Sequence, residues 1–388
     1  MPRHLLDHAS LSPLRPEAAE ALDVWNDLAA RGEIGDPSRI HAEGMRARAA
    51  LEQAREQVAD LIGARPREII FTSDASESVT AATWGAVRHA VERGITPSIV
   101  LAAMEQASVR DSSAQFAPAF GGEVVTIGVD RVGRVDLEAM FAAITPTTAL
   151  VHLQWGNHEV GTLQPVAAVV DRCRELEVLV HIDASQAVGR VPVGFDALGA
   201  DLLSFSGHLF GAPSGTGVLA VRRGLRLEPL LQGSAQERGR RSGLEALVPI
   251  MGLGAAAAAL DPLRLQREEQ QSRALITSII NLATAIDDVE LLGDPDIEGR
   301  LPHLACVAVG GVEPQAVLLG LDQAGIAAHS GSACASEGIE PSPVLAAMGV
   351  DAERSLRFSV GWNSSGADVV ALRTHLAPII AGLRALAG

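Results

Sequence analysis

The stretch Val178-Leu179-Val180-His181-Ile182-Asp183-Ala184-Ser185-Gln186 decides the fold class. Its first part is a short, mostly apolar run, and a carboxylate, a hydroxyl and an amide follow where that run ends. A run of this kind bounded by polar residues is typical of a strand buried in a parallel sheet. The stretch therefore predicts a buried strand with polar side chains at its carboxyl end.

The same pattern recurs through the first two-thirds of the chain. Apolar runs alternate with stretches at helical spacing, such as Met45–Ile62, Ser76–Val91 and Val166–Leu176. This alternation is typical of βαβ units that build a parallel sheet. We expect an α/β fold with a mostly parallel, seven-stranded sheet whose strands are Glu68–Thr72, Ser98–Ala102, Glu123–Ile127, Ala149–Gln154, Val178–Asp183, Leu202–Ser206 and Gly217–Val221.

Polar residues cluster where these strands end. Ligands of open α/β sheets bind outside the carboxyl ends of the strands. The sequence therefore predicts one binding site there, built from Ser73–Ser78, Gln106, Asn157–Glu159, Asp183–Gln186 and Ser206–His208.

The pattern changes after the Gly- and Ala-rich run Met251–Leu260, whose alanine run Ala255–Ala259 we expect to be a close-packed helix. The residues that follow indicate a smaller α+β domain. Its predicted elements are a polar helix over about Pro262–Ile286, strands near Val289 and over Leu304–Val309 and Ile326–His329, a loop at Ser330–Pro343, a strand over Leu356–Val360 and a last helix from about Ala367. We expect an N-terminal segment over residues 1–15, a large α/β domain over 16–255 and a small domain over 256–388.

The composition excludes several classes of protein. Of 388 residues, 47% are hydrophobic, which is enough for a buried core and excludes disordered and fibrous chains. A net charge of -16 argues against a nucleic-acid binder. The three cysteines, at 173, 306 and 334, have neither metal-ligand spacing nor a disulfide framework. With no signal-like or membrane-spanning pattern, we expect a cytoplasmic protein.

All 31 basic residues are arginines, so the sequence contains no lysine. Coding bias in a GC-rich genome explains most of this, because arginine replaces lysine at little cost on a surface. Whatever its origin, the absence removes any chemistry that needs a lysine amine, Schiff bases included.

Eight motifs occur in order along the chain, namely Leu6-Asp7-His8-Ala9-Ser10, Phe71–Ser78, Asn157–Gly161, His181–Gln186, Ser204–His208, Gln236–Arg238 with Arg241–Gly243, Gly331–Cys334 and Leu356–Ser359. Together they resemble the motifs of the cysteine desulfurases, which are class V members of the fold-type I pyridoxal-phosphate (PLP) enzymes. The resemblance implies a homodimer with a PLP site between subunits. It also implies a reaction that moves sulfur from L-cysteine to a cysteine persulfide and releases alanine, followed by transfer to a sulfur-acceptor protein.

The resemblance implies roles for individual residues. Cofactor contacts would come from Ala75, Ser76, Gln106, His158, Asp183, Gln186, Ser206 and His208, with His208 also catalytic, and substrate contacts from Asn157 and Arg357. Asp183 could pair with a pyridinium nitrogen, or it could cap the following turn. The helix opened by Ala75 could cradle a phosphate, or this could be an ordinary N-cap. A guanidinium such as that of Arg357 suits a carboxylate.

Cys334 lies in a loop of small residues that offers nothing to bury a thiol. A flexible, exposed thiol can accept sulfur as a persulfide. Cys173 and Cys306, in a predicted helix and strand, fit the usual buried and inert cysteine. We therefore expect Cys334 to be the catalytic thiol.

The chain departs from the family at the cofactor. Leu209 stands where the family has the lysine that forms the internal aldimine, directly after His208. The family's ring-stacking histidine is Gln106, the second Asn of Asn-Asn-Glu is His158, and the Thr that reaches a phosphate across the dimer is Leu244. We therefore expect PLP to bind weakly and without a covalent bond, if at all.

Three interpretations follow. In the first, the chain is a cysteine-desulfurase-like protein without PLP chemistry of its own, and it acts as a persulfide carrier or as the partner of a lysine-bearing paralogue. Alternatively, it is an active desulfurase, which requires residue 209 to be a modified lysine. The third is a repurposed pocket in which His158, His208, Asp183 and Cys334 bind a metal.

Overall fold

The computed structural model describes residues 3–331, 342–351 and 354–387. The sheet of the large domain has seven strands in the order β2-β8-β7-β6-β5-β3-β4. Every neighbouring pair is parallel except those made by β8, which runs antiparallel to β2 and β7. The predicted α/β class and mostly parallel sheet are confirmed.

The strands lie within two residues of their predicted starts. In chain order after the short β1 (His4–Leu5) they are β2 (Ile69–Thr72), β3 (Ser98–Ala102), β4 (Glu123–Ile127), β5 (Thr148–Gln154), β6 (Val180–Asp183), β7 (Leu202–Ser206) and β8 (Gly217–Val221). The central strands β5, β6 and β7 are buried along their whole length, as mostly apolar runs predict.

Helices cover both faces of this sheet. They are α1 (Pro16–Ala30), α2 (Ala42–Leu61), α3 (Ala75–Glu92), α4 (Ala107–Ala119), α5 (Leu137–Ala143), α6 (Val166–Glu175), α7 (Phe195–Leu198) and α8 (Leu247–Ala258). The alanine-rich α8 is the expected close-packed helix, and it packs on α1 and α2. We expected the large domain to end at residue 255, but α8 continues to Ala258.

Local chemistry fixes the start of α3, which the site depends on. Asp74 caps the helix, its carboxylate accepting the Glu77 N–H at 2.9 Å. Gly217 at the start of β8 leaves room for this turn, because a Cβ there would lie 2.3 Å from the Asp74 carbonyl carbon. The N-terminus of α3 therefore sits against the end of β2 and the start of β8.

The small domain has its own apolar core and a three-stranded antiparallel sheet, β12-β10-β9. Its elements are α9 (Pro262–Thr284), β9 (Val289–Leu292), β10 (Leu304–Val309), α10 (Pro314–Gln323), β11 (Ile326–Ala327), α11 (Pro343–Ala347), β12 (Ser355–Ser359) and α12 (Gly366–Ala387). The strand expected over Ile326–His329 is shorter, and His329 makes an isolated bridge with Arg357.

The N-terminal segment joins the small domain, since β1 pairs in parallel with β11. By length and composition alone, α12 could span a membrane. One of its faces, however, lies in the core of the small domain through Val369, Leu372, Leu376 and Ile380.

Candidate active site

A cavity of about 350 Å³ lies at the carboxyl ends of the central strands. It gathers almost every predicted site residue that the structure describes, namely Ala75, Ser76, Gln106, His158, Asp183, Gln186, Ser206, His208, Leu209 and Arg357. The polar residues at the strand ends therefore line one cavity, where the sequence predicts a binding site. Cys334 lies outside the described residues.

Asn157 is the predicted contact that does not line the cavity. It is fully buried, and its Oδ1 accepts the N–H groups of Glu159 and Val160 at 2.9 and 2.8 Å. Asn157 therefore shapes the turn after β5 and holds His158 at the cavity wall.

One end of the cavity suits a phosphate. The N-terminus of α3 opens there, and Ser206 accepts the Ala75 N–H at 2.7 Å. The exposed Ser76 and the ring of His208 line the same end. Burial lowers the pKa of His208, so the neutral ring can donate a hydrogen bond without adding a charge. A helix N-terminus with nearby hydroxyl and imidazole donors is a good anion site.

Asp183, at the end of β6, suits a protonated ring nitrogen. Its Oδ1 accepts the backbone N–H and the hydroxyl of Ser185 at 2.9 and 2.5 Å. Asp183 thus caps the turn with one oxygen, and Oδ2 has no partner among the described residues. Burial raises the pKa of Asp183, and pairing with a cation would lower it again.

The side-chain amides of Gln106 and Gln186 already form hydrogen bonds with other residues of the protein. Gln106 caps α4, its Oε1 accepting the N–H and the hydroxyl of Ser108 at 2.6 Å each. Gln186 donates to the Ala9 carbonyl at 3.0 Å and accepts from Nε2 of His303 at 3.0 Å. His303, in the small domain, is a site contact that the sequence did not suggest.

Leu209 lines the cavity with an aliphatic side chain. It lies in a 3-10 turn over Gly207–Phe210, which Gly211 ends at a φ of +95°, a conformation that favours glycine. Its carbonyl accepts Nη2 of the buried Arg190 at 2.7 Å, which fixes the turn. No amine is available at this position.

The cavity therefore fits part of a PLP molecule. The α3 N-terminus with Ser76, Ser206 and His208 suits the phosphate, and Asp183 suits the ring nitrogen. Leu209 cannot make the covalent link, and Gln106 offers no aromatic face for stacking. The residues present do not fit a covalently held cofactor.

A buried carboxylate lies behind His158. Glu159 accepts the hydroxyl of Ser342 at 2.5 Å, and burial raises its pKa to about 7. Burial, together with Arg357, lowers the pKa of His158 to about 3, so that ring is neutral. Glu159 thus ties the start of α11 in the small domain to the site turn, a contact that the sequence did not predict.

A chain of hydrogen bonds runs beneath the cavity floor. Thr83 gives its hydroxyl proton to the Val79 carbonyl at 2.8 Å, so Nε2 of His152 must donate to Thr83 at 3.2 Å. Nδ1 of His152 then accepts from Nδ1 of His181 at 2.9 Å, and Nε2 of His181 accepts from Ser204. Burial lowers the pKa of both histidines, so both rings are neutral, as this assignment requires. His181 thereby ties β6, which carries Asp183, to β5 and β7.

Buried ionisable groups predict how stability depends on pH. Burial lowers the pKa of five histidines, to about 3 or well below 6.5: His8, His152, His158, His181 and His303. The unfolded chain therefore binds more protons below about pH 6.5, and acidification destabilises the fold.

Two carboxyl groups act in the opposite sense. Burial raises the pKa of Glu105 to about 8 and that of Glu159 to about 7, so the stability they contribute is lost as pH rises through those values. We expect denaturant titrations to give the highest free energy of unfolding near neutral pH, with a fall at about pH 5. A free energy that rises between about pH 7 and about pH 5 would contradict this assignment.

The metal interpretation finds no support. Across residues 3–331, 342–351 and 354–387, no group of three or more His, Cys, Asp or Glu side chains could hold a metal ion. His158, His208 and Asp183 line one cavity but do not form such a group.

Comparison with known proteins decides the family. The aminotransferase class-V model matches residues 6–372. This chain belongs to the aminotransferase class-V family. Among class-V relatives, a cysteine desulfurase of Cereibacter sphaeroides is 38% identical, covering 100% of this chain and 98% of that protein. A cysteine desulfurase of Gluconacetobacter diazotrophicus is 40% identical, covering 91% of this chain and 88% of that protein.

A solved structure agrees with this result. A NifS-like protein superimposes with a TM-score of 0.87 at 28% identity, covering 98% of this chain and 100% of that one. The predicted resemblance to cysteine desulfurases and the fold-type I architecture are confirmed, and family membership implies PLP.

Proposed function

We propose that this chain acts in sulfur transfer as a desulfurase-like protein that does not run PLP chemistry by itself. The observation that carries the proposal is Leu209 in the cavity wall, in a sequence with no lysine. A lysine amine is needed both to hold the aldehyde of the cofactor and to move the substrate proton. Its absence removes the step that breaks the carbon–sulfur bond of L-cysteine.

A protein that only accepts sulfur from a persulfide needs a reactive thiol and no lysine amine. The Cys334 thiolate attacks the outer sulfur of a donor persulfide, the donor leaves as a thiolate, and Cys334 becomes a persulfide. Electrons balance without any other reagent. Cys173 and Cys306 are poor candidates, because burial raises the pKa of each thiol to about 12.

The segment Ser234–Gly243 supports a partner role. Glu237 makes a buried two-pronged ion pair with Arg55 at 2.7 Å on each side, and Arg241 pairs with Glu77 at 2.9 Å. Glu77 belongs to the first turn of α3, beside the phosphate end of the cavity. The segment is therefore held at the rim, where a second subunit of this family would need it.

We propose as the partner either a second copy or a lysine-bearing paralogue that supplies sulfur from L-cysteine. Co-purification with such a paralogue would support a heterodimer. A stable homodimer that does not bind the paralogue would argue against a heterodimer. A cytoplasmic location agrees with the free thiols of Cys173 and Cys306.

The test compares two sulfur sources. With PLP and L-cysteine alone, we expect the chain to form no alanine. With a small-molecule persulfide, we expect its intact mass to increase by one sulfur atom. Alanine formation over many turnovers would overturn the proposal and favour the second interpretation, in which residue 209 is a modified lysine.

A further inference from the structure

The guanidinium of Arg357 is already bound by the protein itself. Nη2 donates to Oδ1 of Asp7 at 3.0 Å and to the Ser10 hydroxyl at 2.7 Å, and Nη1 donates to the His158 carbonyl at 2.8 Å. Nε is buried without a hydrogen-bond partner among the described residues. The Arg357 side chain is only 5% exposed.

These hydrogen bonds block both edges of the guanidinium that a carboxylate could bind. A guanidinium binds a carboxylate through two neighbouring nitrogens, either Nη1 with Nη2 or Nε with Nη2. Both edges need Nη2, and Nη2 has given its two hydrogens to Asp7 and Ser10. A ligand carboxylate cannot bind Arg357 in a two-pronged geometry while both contacts remain.

Asp7 is held there by the fold. Asp7 forms a parallel β-bridge with Ser359, the last residue of β12. The Leu6 N–H donates to the Ala327 carbonyl and the Ser359 N–H donates to the Leu6 carbonyl, each at 2.8 Å. Ser10 also donates to Oδ1 of Asp7 at 2.8 Å. The Asp7 side chain is 22% exposed, so it can be exchanged for a ligand more readily than a fully buried group.

We propose that Asp7 is a specificity-determining residue that competes with ligand carboxylates for Arg357. The inference rests on the proposed function in taking Arg357 as the carboxylate anchor. The Asp7 charge neutralises the anchor, so an arriving carboxylate meets an ion pair instead of a free cation. The site therefore discriminates against ligands whose only attraction is a carboxylate, and it admits those with enough other contacts to displace Asp7.

The test is Asp7→Asn, which keeps the shape and the acceptor oxygen but removes the charge. The probes are L-alanine and L-alaninamide, which differ in the carboxylate, with binding followed by calorimetry or ligand-observed NMR on the full chain. We expect the preference for alanine over its amide to rise about tenfold, because the lost competitor is a charge-assisted contact. A purely structural role for Asp7 would change both affinities together and leave the preference unchanged.

Three variants complete the design. Ser10→Ala frees one hydrogen of Nη2 and keeps the charge, so it should raise the preference less than Asp7→Asn. Asp171→Asn removes an exposed carboxylate that does not line the cavity, and it should change nothing. Arg357→Gln added to Asp7→Asn should abolish the gain.

An unchanged or lower preference in Asp7→Asn overturns the inference, as does a larger effect from Ser10→Ala. A gain that survives Arg357→Gln also overturns it, since the carboxylate would then bind elsewhere. The proposed function fails separately, through alanine formation by the unmodified chain, so the two failures are distinguishable.

Discussion

The Leu209→Lys variant is expected to bind PLP covalently, where the natural chain does not. The side chain at position 209 lines the cavity beside His208, and Asp183 and the N-terminus of α3 remain in place to orient the ring and phosphate. An amine introduced there is the one group that the cavity lacks for an aldimine. Borohydride reduction followed by intact-mass measurement should show one phosphopyridoxyl group per chain, against none for the natural protein.

A lysine placed elsewhere provides the matched control. Leu263 is 72% exposed at the start of α9, so Leu263→Lys adds the same amine outside the cavity. Only weak, non-stoichiometric labelling is expected there. Equal labelling of both variants would mean that the cavity does not orient the cofactor, and the partial fit to PLP would be wrong.

The Cys334→Ser variant is expected to lose all persulfide loading. The sequence has three cysteines. Cys173 and Cys306 are completely buried, and burial raises the pKa of each thiol to about 12, which leaves Cys334 as the candidate. A thiol with so high a pKa contributes almost no thiolate at neutral pH. The mass increase that a small-molecule persulfide produces should therefore disappear in this variant.

Cys173→Ala serves as its control, because it removes a thiol that we expect to be inert. It should load as much sulfur as the natural chain. Persulfide retained by Cys334→Ser and lost by Cys173→Ala would reverse the assignment and remove the basis for a carrier role.

The sequence predicted the fold closely because the signals were local. β3, β4, β7 and β8 have the predicted bounds, since each is a short, mostly apolar run closed by polar or turn residues. Most of the site followed from the same signal, because polar residues at the ends of parallel strands converge at one edge of the sheet.

The site contacts that the sequence did not predict join residues that are far apart in the chain. Arg357 meets Asp7 across 350 positions, Ser342 meets Glu159 across 183, and His303 meets Gln186 across 117. No periodicity or spacing encodes such contacts. The first forms when the N-terminal segment joins the small domain, and the other two form when the small domain packs on the large one. Asn157 shows the converse: its motif indicated a ligand contact, while its amide is used to close a turn.

One measurement tests the central claim most directly: the intact mass of the purified natural chain, with and without PLP and borohydride. We predict the mass of the printed sequence in both samples, because a cavity lined by Leu209 has no amine for the cofactor. A phosphopyridoxyl adduct that maps to residue 209 would contradict the account and identify the chain as a working PLP enzyme.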